Sequence, residues 1–138
     1  MITPKIALFL TKYSLVVIFI WFGFLKVFNV SSVESMVLHA FPMIFAKFHF
    51  MFQLLGIFEI ATGVLVLVKR FTKIGYIVMF VHLTVCTAAV LVTQGFRPYF
   101  PNLTFEGEFV IKNFVLISAI LVLLSSHKES VKKDSPQT

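Results

Sequence analysis

Apolar residues fill four long runs of this chain, and polar residues collect in the gaps between them. The runs lie at about 13–28, 49–68, 74–93 and 107–124. Each holds roughly 16–20 residues, enough to cross a hydrocarbon core about 30 Å thick with help from flanking residues. Lipid offers no hydrogen bonds, so a crossing segment must satisfy its own backbone, and runs of this length do so as helices. The pattern therefore predicts four spanning helices within residues 1–126, followed by a polar tail, 127–138, expected to be disordered.

The gaps refine this picture. Lys5 and Lys12 precede the first run, as in a signal peptide, but Lys26, Phe28 and Asn29 follow it where a small-x-small cleavage site would stand, so a retained helix is expected. Ser31-x-x-Glu34 has the form of a capping box. It opens a short amphipathic segment that runs through Phe41-Pro42-Met43-Ile44-Phe45 and is expected to lie at the membrane interface. Lys69-Arg70-Phe71-Thr72-Lys73 joins the second and third runs, and Gly95, Pro98 and Pro101 mark a turn-rich loop before the fourth. Thr104 is a candidate N-cap for the last helix, with Glu106 beside its positive end.

Four crossings place both termini on one side, together with Lys5, Lys12, Lys69, Arg70, Lys73, Lys128, Lys132 and Lys133. The other side keeps Lys26, Lys47, Arg97 and Lys112, offset by Glu34, Glu106 and Glu108. The positive-inside rule makes the first side cytoplasmic. The expected fold is an all-α integral membrane protein, a four-transmembrane-helix bundle of the plasma (inner) membrane. Both termini are expected to be cytoplasmic, with a short interfacial helix between helices 1 and 2.

Composition agrees. The chain is 59% hydrophobic and 13% charged, against about 45–50% and about 25% in soluble domains. The 18 phenylalanines could not all be hidden in a soluble core of this size. The net charge of +6 comes from residues at helix ends and in the tail. No basic face interleaved with aromatics lies in a soluble stretch, so no nucleic-acid partner is expected. One cysteine, Cys86, excludes an internal disulfide and a C-x-x-C redox pair.

Each run also carries a stripe of small or polar residues at helical spacing, expected to face the bundle interior. These are Val16, Phe19, Gly23 and Lys26; Gly56, Glu59 and Gly63; Gly75, Met79, His82, Cys86 and Ala89; and Glu108, Lys112, Val115 and Ala119. Close packing accounts for the glycines. Glu59, near the middle of its run, is the sharpest candidate, because a carboxylate at that depth is costly without a partner. It is read as a proton carrier or ligand contact, and as a structural carboxylate tied to Lys26 or Lys112, two roles that do not exclude each other. Glu108 and Lys112 stand in the favourable i, i+4 order, and dipole compensation with snorkelling explains them equally well. Lys26, nearer the outer end, is more easily explained by snorkelling. Asn113 is a candidate for an interhelical hydrogen bond.

His82 lies at a depth comparable to Glu59 and can hydrogen-bond or relay protons. His49 stands at the outer end of its helix, and His39 and His127 in connections, so no second histidine matches His82 for a haem and no metal site is expected. Cys86 is most simply a packing residue. Trp21, Phe22 and Phe24 surround Gly23 and are candidates to line a flat apolar pocket suited to a quinone ring or isoprenoid tail.

These residues also carry a resemblance. Trp21-Phe22-Gly23-Phe24-Leu25-Lys26-Val27-Phe28 resembles the small-G-x-x-K signature of DoxX-like membrane proteins. Gly56-Ile57-Phe58-Glu59-Ile60-Ala61-Thr62-Gly63 is similar to that family's second-helix G-x-x-E-x-x-x-G pattern, and Leu103 to Asn113 to its fourth-helix opening. A neighbouring branch linked to reactive-chlorine resistance shares the pattern. The resemblance implies a four-helix membrane bundle whose matching polar positions are Lys26, Glu59, Glu108 and Lys112. It implies no catalytic nucleophile, metal ligand set or dinucleotide loop. Some family members are quinone-reducing subunits, others accompany oxidative-stress enzymes or act in membrane-protein maturation.

The expected function is a redox-associated subunit binding a quinone or similar lipophilic molecule in a polar pocket. Lys26, Glu59, His82, Glu108 and Lys112 are its ligand-binding or proton-relay candidates. The alternatives are a non-catalytic assembly, maturation or stress-resistance factor, and a small transporter. Whether the chain is an enzyme is left open, and quinone is the one cofactor considered. Expected partners are the bilayer, other membrane or redox subunits, or a second copy of the chain.

Overall fold

The computed structural model describes residues 3–31, 33–40, 42–45, 50–93, 98–99 and 102–133. Four of its helices are long and apolar enough to cross a membrane. They are α1 (Pro4–Val27), α4 (Phe50–Leu67), α5 (Thr72–Thr93) and α6 (Phe105–Lys133). Two short helices, α2 (Glu34–Ala40) and α3 (Pro42–Phe45), lie between α1 and α4. Pro98–Tyr99 (β1) and Asn102–Leu103 (β2) form a two-residue antiparallel pair before α6. The remainder of the loop before α6, including Gly95, Arg97 and Pro101, lies outside the described residues, as do Lys47, His49 and 134–138.

Local chemistry explains where the helices begin and end. The first starts at Pro4 rather than near residue 13, because Thr3 accepts from the Ile6 N–H at 3.5 Å and Pro4 stands where its missing N–H costs nothing. It stops in a Schellman motif: Asn29 has φ 55°, the Val30 N–H donates to the Leu25 carbonyl at 2.9 Å, and the Asn29 N–H donates to Lys26 at 3.2 Å. Asparagine tolerates that left-handed conformation better than most residues. The Ser31–Glu34 segment is a turn closed by its backbone, with the Glu34 N–H donating to the Ser31 carbonyl at 3.3 Å, and α2 begins at Glu34. Between α4 and α5, the Thr72 hydroxyl is placed to donate to the Val66 or Val68 carbonyl, at 3.0 and 3.1 Å. Thr104 caps α6, its hydroxyl accepting from the Gly107 N–H at 3.2 Å.

The last helix differs from expectation. It does not end near Ser125-Ser126 but continues to Lys133, so most of the expected disordered tail is helical. The sequence explains this, since between Ser126 and Pro136 neither Gly nor Pro interrupts the helix.

The four long helices form a ring in which each passes antiparallel to its neighbours, in the order α1, α4, α5, α6. Matching pairs set the register: Gly23 with Gly56, Gly75 with Val66, and Asn113 with Thr87. The beginning of α1 and the end of α6 therefore lie at the same end of the bundle. That end holds a close-packed apolar core built from Leu15, Val16, Val66, Tyr76, Ile120 and Leu123. At the other end Val33, just before α2, clusters with Phe52, and Val37 and Leu38 of α2 pack against them. The outward surface is rich in large apolar side chains, Trp21, Phe24, Val92 and Val115 among them, as expected of helices facing lipid.

The α1–α4 crossing is the tightest contact. A Cβ on Gly23 would lie 2.6 Å from the Gly56 carbonyl oxygen, and one on Gly56 would lie 2.5 Å from the Gly23 oxygen. Only the absence of a side chain at both positions lets the backbones meet. Gly23→Val and Gly56→Val should each lower unfolding stability in micelles by about 1–3 kcal/mol. Ala61→Leu, on the exposed face of α4, should leave it unchanged. Unaltered unfolding of both glycine variants would show that the helices do not cross there.

Candidate functional site

One turn beyond each crossing glycine stands a charged residue, Lys26 on α1 and Glu59 on α4. Side chains on a helix lean toward its N-terminus. In an antiparallel pair the two therefore lean toward each other along the seam. Lys26 Nζ lies 2.6 Å from Glu59 Oε2, and both residues are buried. Lys26 thus does not snorkel, although it stands near the end of its helix. Its ammonium points into the bundle, with only 5% of the residue exposed.

The other carboxylate oxygen is also engaged. His82, at the matching level of α5, places Nε2 2.9 Å from Glu59 Oε1. Phe19 meets the imidazole edge-on at 6.0 Å between centroids, and Phe58 lies tilted at 5.6 Å. Cys86, one turn further along α5, has its sulfur 4.0 Å from Nδ1 and 3.8 Å from Nε2. Near-equal distances to the two nitrogens place the sulfur against the ring rather than in line with either. Lys26, Glu59 and His82 thus form one hydrogen-bonded chain across α1, α4 and α5.

A second polar link joins α5 to α6. Asn113 Nδ2 donates to Thr87 Oγ1 at 3.0 Å, and the Thr87 hydroxyl donates in turn to the Leu83 carbonyl at 2.7 Å. Among the described residues, no buried side-chain nitrogen or oxygen lacks a partner.

Lys112 stands apart from both links. Its Nζ lies 4.4 Å from the centroid of Phe22 and 5.1 Å from that of Phe109, within the range of cation–π attraction. No ion pair within 4.0 Å joins it to Glu108 or Glu59. Glu108 is exposed, so the expected i, i+4 pair does not form as an ion pair.

These groups surround a partly open cleft of about 70 Å³ in the half of the bundle away from the packed core. Lys26, Glu59, His82 and Lys112 line it, with Phe22 and Phe109 among its aromatic walls and with Val33, just before α2, and Val37 of α2. A second cavity of about 190 Å³ adjoins it, bounded by Phe22, Phe105, Glu108 and Lys112. The structure therefore brings Lys26, Glu59 and His82 into contact, sets Lys112 in the same cleft without touching them, and leaves Glu108 at the outer cavity. Among the described residues no three metal-binding side chains are grouped.

Several sequence expectations need correction. Of the fourth stripe, Glu108 and Val115 are exposed; the buried face is Val110, Asn113, Leu116 and Ile120. Charge misled the choice, because a neutral amide is the cheaper polar group to bury. In α5 the buried face is Gly75, Tyr76, Met79, Leu83, Thr87 and Val90, with His82 and Cys86 half-buried beside it. Of the three aromatics around Gly23, only Phe22 lines the cleft; Trp21 and Phe24 are exposed. Thr87 and Val33 were missed. The Leu83, Thr87, Val90 spacing is the signal that could have found the first.

A buried ion pair costs most when one partner is removed alone. Lys26→Met should destabilise the protein by roughly 3–5 kcal/mol, because it strips Glu59 of its charged partner. The double variant Lys26→Met/Glu59→Gln should lose clearly less than the sum of the two single losses. Additive losses in reversible unfolding would show that the two side chains are not coupled. No protein-family model, no curated protein and no solved structure matches this chain, so the chemistry of the site stands on its geometry.

Proposed function

We propose that this multi-pass protein binds a lipid-soluble small molecule in the cleft, a quinone being the first candidate, and serves as a redox-associated subunit. The observation that supports it is the Lys26–Glu59–His82 chain set in the wall of an otherwise apolar, partly aromatic cleft. Such an arrangement suits a flat molecule with a polar head. Phe22 and Phe109 would flank the ring, while Lys26 and His82 offer N–H groups to a carbonyl. A quinone supplies a carbonyl pair that takes up two electrons and two protons on becoming a quinol. The electrons would come from a partner redox subunit. In this chain Lys26, Glu59 and His82 would orient the head and exchange protons with it.

The DoxX-like assignment belongs to the same proposal and rests on the three motifs containing Gly23 and Lys26, Gly56 and Glu59, and Glu108 and Lys112. So do the cytoplasmic termini in the plasma membrane and an interfacial position for α2 and α3. The last is supported by Met43, an apolar residue 85% exposed. In a Cys86→Ala background, Val30→Cys should react with an impermeant maleimide on intact cells, and Lys69→Cys only after permeabilisation. The reverse pattern would invert the topology.

One observation favours a second reading, a non-catalytic assembly or maturation factor. Glu59 is satisfied on both oxygens from within the bundle, as a purely structural clamp would be. The two readings separate experimentally. Protein purified in native-like lipid should retain quinone, and Glu59→Gln should weaken retention roughly tenfold by removing a charged hydrogen-bonding partner. Absence of quinone binding, with a specific membrane partner crosslinked in cells, would favour the clamp.

A further inference from the structure

We propose that the cleft selects a ligand with an anionic head, and that Lys112 is the residue that binds it. This rests on the reading that the cleft takes a lipid-soluble molecule, and it names the class of that molecule. Charge at the cleft is unbalanced: two lysines, Lys26 and Lys112, line it with one carboxylate, Glu59. That carboxylate is already committed, one oxygen to Lys26 at 2.6 Å and the other to His82 at 2.9 Å. Among the described residues, no carboxylate lies within 4.0 Å of the Lys112 ammonium. Its ammonium rests instead against the rings of Phe22 and Phe109.

Ring faces attract a cation but do not neutralise it, and a charge surrounded by apolar walls gains most from a counter-ion. An ammonium has three N–H donors. Two flanking rings leave donor capacity for an acceptor entering the cleft. Lys112 borders both cavities, and Glu108 lies only on the outer one. The anionic head therefore belongs on the inner side of Lys112, away from Glu108, with its tail against Ile18, Leu83 and Leu116. A neutral head would leave the excess charge uncompensated.

The test uses full-length protein in nanodiscs of zwitterionic lipid. An alkylated 2-hydroxy-1,4-naphthoquinone, which is acidic, is compared with its 2-methoxy ether, a neutral molecule of nearly the same shape. The acid should bind roughly tenfold tighter or more, as a charge-assisted hydrogen bond gives. Lys112→Met should abolish the preference and Lys112→Arg should keep it. Competition by a long-chain fatty acid, set against its methyl ester, tells whether any acidic amphiphile suffices or a ring is required. Equal binding of acid and ether by the unaltered protein overturns the proposal while leaving the cleft a binding site, and needs no variant to fold. A preference that survives in folded Lys112→Met removes Lys112 from the role. Failure of both probes and of the fatty acid to bind overturns the proposal and the reading beneath it together.

Discussion

Glu59 carries a carboxylate in the middle of a helix long enough to span a membrane, and much of the structure follows from keeping that group satisfied. A charge removed from water needs a close partner and hydrogen bonds on its remaining lone pairs. Glu59 has both: Lys26 takes one oxygen and His82 the other. These contacts require α1, α4 and α5 to meet at one level. Gly23 and Gly56 let two of those backbones approach closely, and helix geometry then tips the side chains of Lys26 and Glu59 toward each other. Asn29 ends α1 soon afterwards in a conformation that most residues avoid. Packing, helix termination and electrostatics thus act on the same few residues.

The bundle divides its labour along its length. At the end shared by the start of α1 and the close of α6, apolar side chains fill the interior. In the other half the interior opens into a cleft that holds the Lys26–Glu59–His82 chain and Lys112. The two lysines are treated differently. Lys26 is neutralised by its neighbour, whereas Lys112 is held by aromatic faces, with no carboxylate within 4.0 Å among the described residues. A structural clamp needs only the first arrangement. The second also joins helices, Lys112 of α6 resting on Phe22 of α1, and it leaves a cation facing the cleft.

How much of this was legible in the sequence depended on the range of the interaction. The four spans follow from hydrophobic length, which needs no knowledge of neighbours. Gly56-x-x-Glu59-x-x-x-Gly63 marked the buried face of α4 because small residues and a carboxylate at helical spacing have few uses on a lipid-facing surface. On α6 the same reasoning misjudged the face. Glu108 and Lys112 drew attention by their charge, but near a helix end a charged group can reach water or aromatic rings, and Asn113 and Leu116 took the interior. Lys26 was ambiguous for the same reason: a lysine near a helix end can turn outward or inward.

The sequence by itself determined the number of apolar spans, the N-capping residue Thr104, and the presence of a carboxylate too deep to leave alone. These depend on residues close together in the chain and on the poor solvation of charge in lipid. Only the tertiary structure decided that Lys26 turns inward to Glu59, that His82 completes the carboxylate, and that Lys112 rests against the rings of Phe22 and Phe109. Those choices are set by helix register and by which faces meet, and pairs such as Lys26 and Glu59 lie too far apart in sequence for any local pattern to fix them.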